Sequence, residues 1–363
     1  MTNESILTVE NLILKRGRAT VLDIEKLDIP RGRSLALIGP NGAGKSTLLL
    51  ALAGLLPMTS GKLSFDSQTI ASRSSYAHLR QNAAVVFQEP LLLNDTVYKN
   101  IALGLKFRHL RRAEISTAVE ETLSQFGIEH LAQRSARLLS GGEAKRVSLA
   151  RAFAIKPKII LLDEAFNSLD PPSREAIIND LQNILEKTKI TAVLALHDRE
   201  ETLRLAQDVA VMSEGKIIQK ADTADIFQKP ASEFVAEFVG TEAILEGEVK
   251  TLHDGIMDVA INGRNIIAAG NYPPGAKVFC CLRPEHITVA QAVTGKTSAR
   301  NIFEARVQKI IRQAYFYKLV LDCGFFLSAY ITLTSFEEMN IREGCHLSAS
   351  FKATAVHVLK REA

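Results

Sequence analysis

The sequence predicts an α/β core with a helical insertion over residues 1–240, followed by a small all-β region over residues 241–363. Three observations lead there. Short β-rich runs alternate with helical stretches along the first 240 residues, as in a sheet covered by helices. At about residues 90–139 that alternation stops, and Tyr98, Ile101, Leu103, Leu105, Ile115, Val119, Leu123 and Phe126 recur near helical spacing. After Gly240, short apolar runs are separated by Gly, Pro and Asn, the style of barrel-like hairpins.

Within the core, residues 34–39 read as a buried strand that runs into a glycine-rich turn and an apolar helix at about 45–56. Residues 83–87, 158–163, 191–196 and 208–212 are further strands, and a helical stretch at 233–239 precedes a domain boundary near Gly240. In the β region the strands fall at 259–261, 277–282, 303–310 and 318–322. A break near residues 294–298 divides this region into two lobes, 241–293 and 297–363.

Composition narrows the classes of function. With 47% hydrophobic and 23% charged residues, the chain has ample apolar surface for a core. The net charge of +4 is spread over both halves, which disfavours nucleic acid as a partner. No window approaches the ~18–20 apolar residues of a membrane-spanning helix; the run from Leu48 to Met58 is broken by Gly54 and Pro57. The N-terminus lacks the basic and apolar segments of a secretion signal. The four cysteines, Cys280, Cys281, Cys323 and Cys345, show no CxxC spacing, which favours buried thiols over a zinc site. A soluble cytoplasmic chain is expected.

The chemistry begins at Gly39-Pro40-Asn41-Gly42-Ala43-Gly44-Lys45-Ser46-Thr47, a G-x-x-x-x-G-K-[ST] run between a strand and a helix. Its glycines let backbone N–H groups wrap a phosphate without Cβ clashes. The helix N-terminus adds partial positive charge, and Lys45 adds a full one. Ser46 is placed to ligate Mg²⁺, so a nucleotide with Mg²⁺ is the expected ligand. The run Lys158-Ile-Ile-Leu-Leu-Asp163-Glu164 then buries a strand and delivers two acids at its C-terminal end, where α/β sheets place ligands. There Asp163 can hold Mg²⁺ and Glu164 can polarise an attacking water.

Ser140 and Glu143 form an S-x-x-E capping box that opens a helix running to about Ile155, with Gly141 and Gly142 leaving its N-terminus bare enough for a phosphate to approach. Together with the phosphate loop, Leu139-Ser140-Gly141-Gly142-Glu143 resembles the signature of ATP-binding-cassette (ABC) ATPases, and the resemblance covers the first 240 residues. By position, it implies that Gln88 senses Mg²⁺ and links the core to the helical insertion. It likewise implies that Asp170, in Ser168-Leu169-Asp170, belongs to a loop crossing a dimer interface, and that His197 is a switch contacting the γ-phosphate. In the family two cassettes sandwich two ATP molecules, Ser140–Glu143 of one chain closing on the phosphate loop of the other. The resemblance therefore implies an ATP-hydrolysing homodimer coupled through the helical insertion to an integral-membrane permease. The chain departs from the family in having no aromatic residue before Phe65 to stack on adenine; Arg16 falls near that place and can stack its guanidinium plane.

One cassette without a membrane span points to a separate permease, and so to a peripheral subunit on the cytoplasmic face of the membrane. Cys281-Leu-Arg283-Pro284-Glu285-His-Ile287 is similar to a segment of the OB-like, barrel-like accessory domain of bacterial ABC importer ATPases, which implies import and, indirectly, an extracytoplasmic substrate-binding protein. Thr297-Ser298-Ala299-Arg300-Asn301 and Phe351-Lys352-Ala353-Thr354-Ala355-Val356 together resemble molybdate-binding lobes. A tetrahedral dianion needs several N–H and hydroxyl donors plus a cation or two. Ser298, Arg300, Lys352 and Thr354 can supply them if the two strand ends meet. The whole chain is most similar to the ATPase subunit of a tungstate or molybdate importer. Sulfate, ferric iron, polyamine and sugar importers carry similar cassettes, and soluble ABC ATPases of translation or repair form a second class. The single phosphate loop and the lack of a long heptad run weigh against that class.

Overall fold

The most apolar runs of the sequence become the strands of a six-stranded sheet in the order β10-β9-β3-β8-β7-β6. In it β3 (Ser34–Ile38), β6 (Ala83–Val86), β7 (Ile159–Asp163), β8 (Thr191–Ala195) and β9 (Asp208–Ser213) run parallel, and β10 (Lys216–Asp222) closes one edge antiparallel to β9. Every residue of β3 and β8 is buried, as expected of parallel strands covered on both faces. A second, antiparallel sheet holds β1 (Ser5–Arg16), β2 (Ala19–Pro30), β4 (Ser60–Phe65) and β5 (Gln68–Thr69). The computed structural model describes residues 4–292 and 297–361.

Helix α1 (Lys45–Leu52) shares one core with both sheets: its Leu49 and Leu52 join Leu12, Ile24 and Phe65 of the second sheet and Leu37 of the first. Each such side chain contributes roughly 1.5–3 kcal/mol by leaving water. The helix stops short of the expected residue 56 because Gly54 adopts φ +67°, a left-handed turn that ends the helix. Helix α2 (Arg73–Asn82) leads into β6. The insertion follows β6 as α3 (Val97–Phe107) and α4 (Arg112–Gln125), and α5 (Gly141–Ala154) comes directly after it. Ile101, Leu105, Ile115, Val119, Leu123 and Phe126 are buried there, and Phe126 meets Phe153 at 5.7 Å. Helices α6 (Pro171–Thr188) and α7 (Arg199–Leu205) follow β7 and β8.

The chain divides into two compact units between Ala224 and Asp225. Helix α8 (Thr223–Gln228) lies at the division, and α9 (Glu233–Phe238) goes with the second unit, where Ala236 packs with Phe279, Cys281 and Leu359. That packing sets the second unit's start upstream of the boundary expected at Gly240.

The second unit is a strand-by-strand repeat. Its first half contains β11 (Ala243–His253), β12 (Ile256–Ile261), β13 (Arg264–Ala269), β14 (Lys277–Leu282) and β15 (Thr288–Ala290). The other half contains β16 (Asn301–Arg312), β17 (Phe316–Asp322), β18 (Phe326–Thr332), α10 (Leu333–Glu338), β19 (His346–Phe351) and β20 (His357–Lys360). The sheets run β13-β12-β11-β14-β20 and β18-β17-β16-β19-β15, so each half lends its last strand to the other. Thr288 pairs with Ser350 and Phe279 with Leu359. Both halves feed a single hydrophobic core, so the two expected lobes interlock. The expected break at 294–298 falls largely on residues 293–296, which lie outside the described residues.

Cys280 and Cys323 belong to that core, and Cys281 is buried in the smaller cluster with Phe279 and Leu359. Burial pushes the Cys280, Cys281 and Cys323 thiols up to about 12, whereas Cys345 is only half-buried. Because the thiolate is the reactive form, a disulfide reagent at mildly alkaline pH is expected to label Cys345 alone in the folded chain. All four should react after denaturation. Rapid labelling of more than one thiol in the native chain would contradict this packing.

Candidate nucleotide site

The phosphate loop joins β3 to α1, and its shape depends on glycine. Gly39 adopts φ +152° against β9, where a Cβ would collide with the Met212 carbonyl oxygen. Gly42 and Gly44 adopt φ +84° and +98°. Gly44 also packs on Leu22 of β2, which brings the β1–β2 hairpin beside the loop; Arg16 stands exposed at that hairpin's end. Pro40 and Asn41 are exposed at the loop's tip, Ala43 is buried beneath it, and Thr47 follows on α1. Lys45 is 5% exposed and its Nζ donates to the carbonyls of Gly39 at 2.8 Å and Pro40 at 3.2 Å, so burial lowers its pKa. The ammonium thus lies along the inside of the loop.

Ser46 Oγ donates to Asp163 Oδ1 at 2.7 Å, across 117 residues of sequence. Burial raises the Asp163 pKa, with the Ser46 hydrogen bond pulling the other way. A hydroxyl and a carboxylate at the end of the phosphate loop are hard oxygen donors, a set that suits Mg²⁺. Glu164, the next residue, adopts φ +45°, a strained setting for a non-glycine residue at the end of a strand. Its N–H donates to Ala195 O at 3.2 Å, and its Oε2 accepts from Asn167 Nδ2 at 2.7 Å. The loop after β8 carries His197, exposed, and then Asp198, which caps α7 by accepting from the Glu201 N–H at 3.0 Å.

The signature is the reciprocal box expected of it. Ser140 N–H donates to Glu143 Oε2 at 2.7 Å and Ser140 Oγ accepts from Glu143 N–H at 3.3 Å. The Ser140 backbone N–H holds the Glu143 carboxyl below its usual range. Gly141 faces open space, and Gly142 lies close against Ser173. Asp170 caps α6 through the Ser173 N–H at 3.0 Å. Gln88 is exposed, but its carbonyl accepts from Lys145 Nζ at 2.5 Å, and the Phe87 carbonyl accepts from the same group at 3.1 Å. Lys145 is 2% exposed and burial brings its pKa down to about 8.

The candidate oxyanion residues lie in the second unit. Asn301 pairs with Phe351, so the two strand ends meet and Arg300 and Lys352 flank that pair. Ser298, Arg300, Lys352 and Thr354 are all exposed. Thr354 faces a cavity of about 750 Å³ that Thr241, Arg283, His286 and His357 also line. The neighbouring Asn301 is 2% exposed and grips the backbone of Ile267 at 2.7 and 2.8 Å, which stiffens this end of β16.

Known proteins resemble the chain at both levels. A family model described as ABC transporter matches residues 22–167, and one described as TOBE domain matches residues 297–358. The molybdate/tungstate import ATP-binding protein of Pyrococcus horikoshii is 37% identical over 342 residues, covering 91% of this chain and 93% of that protein. The chain belongs to the ABC transporter family. It is an ATPase cassette followed by an all-β domain. A sulfate/thiosulfate import ATP-binding protein of Nocardia farcinica is also 37% identical, over 250 residues and 69% of the chain. Among solved structures, a cassette from Clostridium perfringens, described as part of an ABC transporter complex, is 32% identical with a TM-score of 0.58. It covers 66% of this chain and 96% of its own. A dimeric cassette in a post-hydrolysis state, bound to ADP and Pi, is 27% identical with a TM-score of 0.55 and covers 60% of this chain.

Two residues of the cassette site were not anticipated from sequence: Asn167 and Lys145. Lys145 carried a readable signal, since it falls on the same face of α5 as the buried Leu149 and Ala152. A lysine on a buried stripe needs acceptors, and the carbonyls before and at Gln88 provide them.

Proposed function

We propose that the cassette works as a homodimer that hydrolyses ATP to drive a separate membrane permease importing molybdate or tungstate. The observation that carries the cargo is the reach of the likeness. The molybdate/tungstate relative matches over 91% of the chain, whereas relatives named for sulfate, polyamine and ferric iron match over 69%, 78% and 80%. Cargo-specific chemistry belongs in the β unit, because the cassette touches nucleotide and permease.

Within the cassette, Lys45 and the loop N–H groups neutralise the nucleotide's phosphates. Ser46, Gln88 and Asp163 would hold Mg²⁺, which supplies further neutralisation of phosphate charge. Glu164, steadied by Asn167, accepts the proton of the attacking water, and His197 contacts the γ-phosphate. Ser140, Gly141, Gly142 and Glu143 complete the partner chain's site, with Asp170 crossing between the chains, so that ATP binding closes the dimer and hydrolysis reopens it. Arg16 stacks on the base. A groove of about 610 Å³ lined by Arg80, Asn82, Gly104, Phe107, Arg108 and Ile155 supports docking of the permease at the helical insertion. Phe107, 74% exposed, is its apolar anchor. Among the described residues no helix is long and apolar enough to cross a membrane, in keeping with a peripheral subunit.

Ser298, Arg300, Lys352 and Thr354 bind the cargo oxyanion on the inner side and so restrain the cassettes once the cell is supplied. Titration of the full-length chain with tungstate, molybdate and sulfate, read by calorimetry and ATPase rate, tests both cargo and restraint. Tungstate or molybdate should bind and slow turnover, sulfate should stay silent, and Lys352→Ala should remove the effect. Equal binding of sulfate would overturn the cargo assignment.

A further inference from the structure

The first turn of α6 touches two functional loops at once. On one side Ser173 lies so close to Gly142 of the signature that an added Cβ would come within 3.1 Å of its Oγ. Arg146 of α5 ties the same two helices by pairing with Asp180 of α6 at 2.8 Å. On the other side Arg174 forks onto Glu201 Oε1 through Nε at 2.8 Å and a terminal nitrogen at 2.7 Å. The same side chain reaches Asp198 Oδ2 at 3.1 Å. Asp198 follows His197 directly and caps α7.

The bridge is not an ordinary surface ion pair. The Glu201 side chain is 3% exposed, and burial pushes its carboxyl up while Arg174 draws it back down. Arg204 of α7 adds a second tie, to Glu175 at 2.8 Å and Asn179 at 2.6 Å on α6. Only the acid is enclosed, Arg174 keeping 34% of its side chain exposed, and an ion pair that encloses a charge is a weak device for stability alone, since apolar residues of similar volume serve as well or better. What a forked guanidinium adds is orientation.

We infer that Arg174 is a positioning residue that fixes His197 relative to the signature. The signature loop that closes on the partner's nucleotide and the histidine that meets the chain's own nucleotide then move as one piece. This rests on the roles proposed above for Ser140–Glu143 and His197. It gives the two sites of a dimer a mechanical link through α6.

The test uses the purified full-length chain, with ATPase rate measured against ATP concentration, ATP binding and thermal melting. Arg174→Ala leaves Glu201 buried without its partner and endangers the fold, so the informative variant is Arg174→Met combined with Glu201→Leu. It should melt at or above the parent temperature and keep its KM, yet lose about 10- to 100-fold in kcat, the cost of a misplaced catalytic group. Arg174→Lys, which keeps the charge without the fork, should recover part of kcat. Full kcat in the apolar double variant would make Arg174 a structural residue only and overturn the inference. His197→Ala is measured in parallel. If it keeps turnover, the underlying assignment of His197 fails, and the inference with it; if only the double variant keeps turnover, the inference alone fails.

Discussion

Glu164→Gln is expected to lower phosphate release by at least about 100-fold while leaving ATP binding intact, the loss set by removal of a general base. The geometry favours so clean a separation. Gln is isosteric with Glu, so the Asn167 amide can still donate to a side-chain oxygen where it now meets Oε2 at 2.7 Å. The backbone setting at φ +45° is unchanged by the substitution. What disappears is the carboxylate basicity by which the proposed base takes a proton from water. Phosphate release at saturating ATP, set beside equilibrium ATP binding and dimer mass by light scattering, measures it. The variant should accumulate as an ATP-bound dimer. Turnover at the parent rate would remove Glu164 from the mechanism.

Lys45→Met should weaken ATP binding by about 100-fold or more, since a charge-assisted contact to phosphate worth about 3 kcal/mol is lost. The ammonium already sits inside the loop on the Gly39 and Pro40 carbonyls, 5% exposed, so Met keeps the stem's packing and deletes only the charge. The chain should still melt cooperatively. Gly39→Ala makes the contrast. Its Cβ would strike the Met212 carbonyl, so it should lose ATP binding together with about 1–3 kcal/mol of stability. Titration calorimetry with ATP and thermal melting of both variants separate a missing charge from a broken loop. Unimpaired ATP affinity in Lys45→Met would refute the phosphate-loop reading.

Much of the site was legible because its chemistry is local. The strand–turn–helix around Gly39–Thr47 and the box between Ser140 and Glu143 lie within one or two turns of chain, and so does the pair of acids closing β7. Their backbone needs are written in adjacent residues. The strands β1, β2 and β4 were less legible, because register shifts near Leu7, between Glu10 and Ile13 and at Leu14–Lys15 of β1 interrupt the two-residue alternation that marks a strand. The contacts that position the site were hidden for another reason. Lys145 finds its acceptor 57 residues away, and Arg174 finds Glu201 across 27 residues. Nothing near either residue names its partner.

The amino-acid pattern alone was enough to specify a nucleotide-binding α/β core, its helical insertion and an all-β tail, since glycine freedom, capping and hydrophobic period act over a few residues. Folding in three dimensions was needed to pair β15 with β19 and β20 with β14, because the partners lie some 60 to 80 residues apart in sequence and nothing in either strand's own residues names the sheet it joins. It was needed also to bury Lys145 and Glu201. Those charges are tolerated only where distant acceptors and donors arrive to meet them, and that arrival is a property of the packed chain.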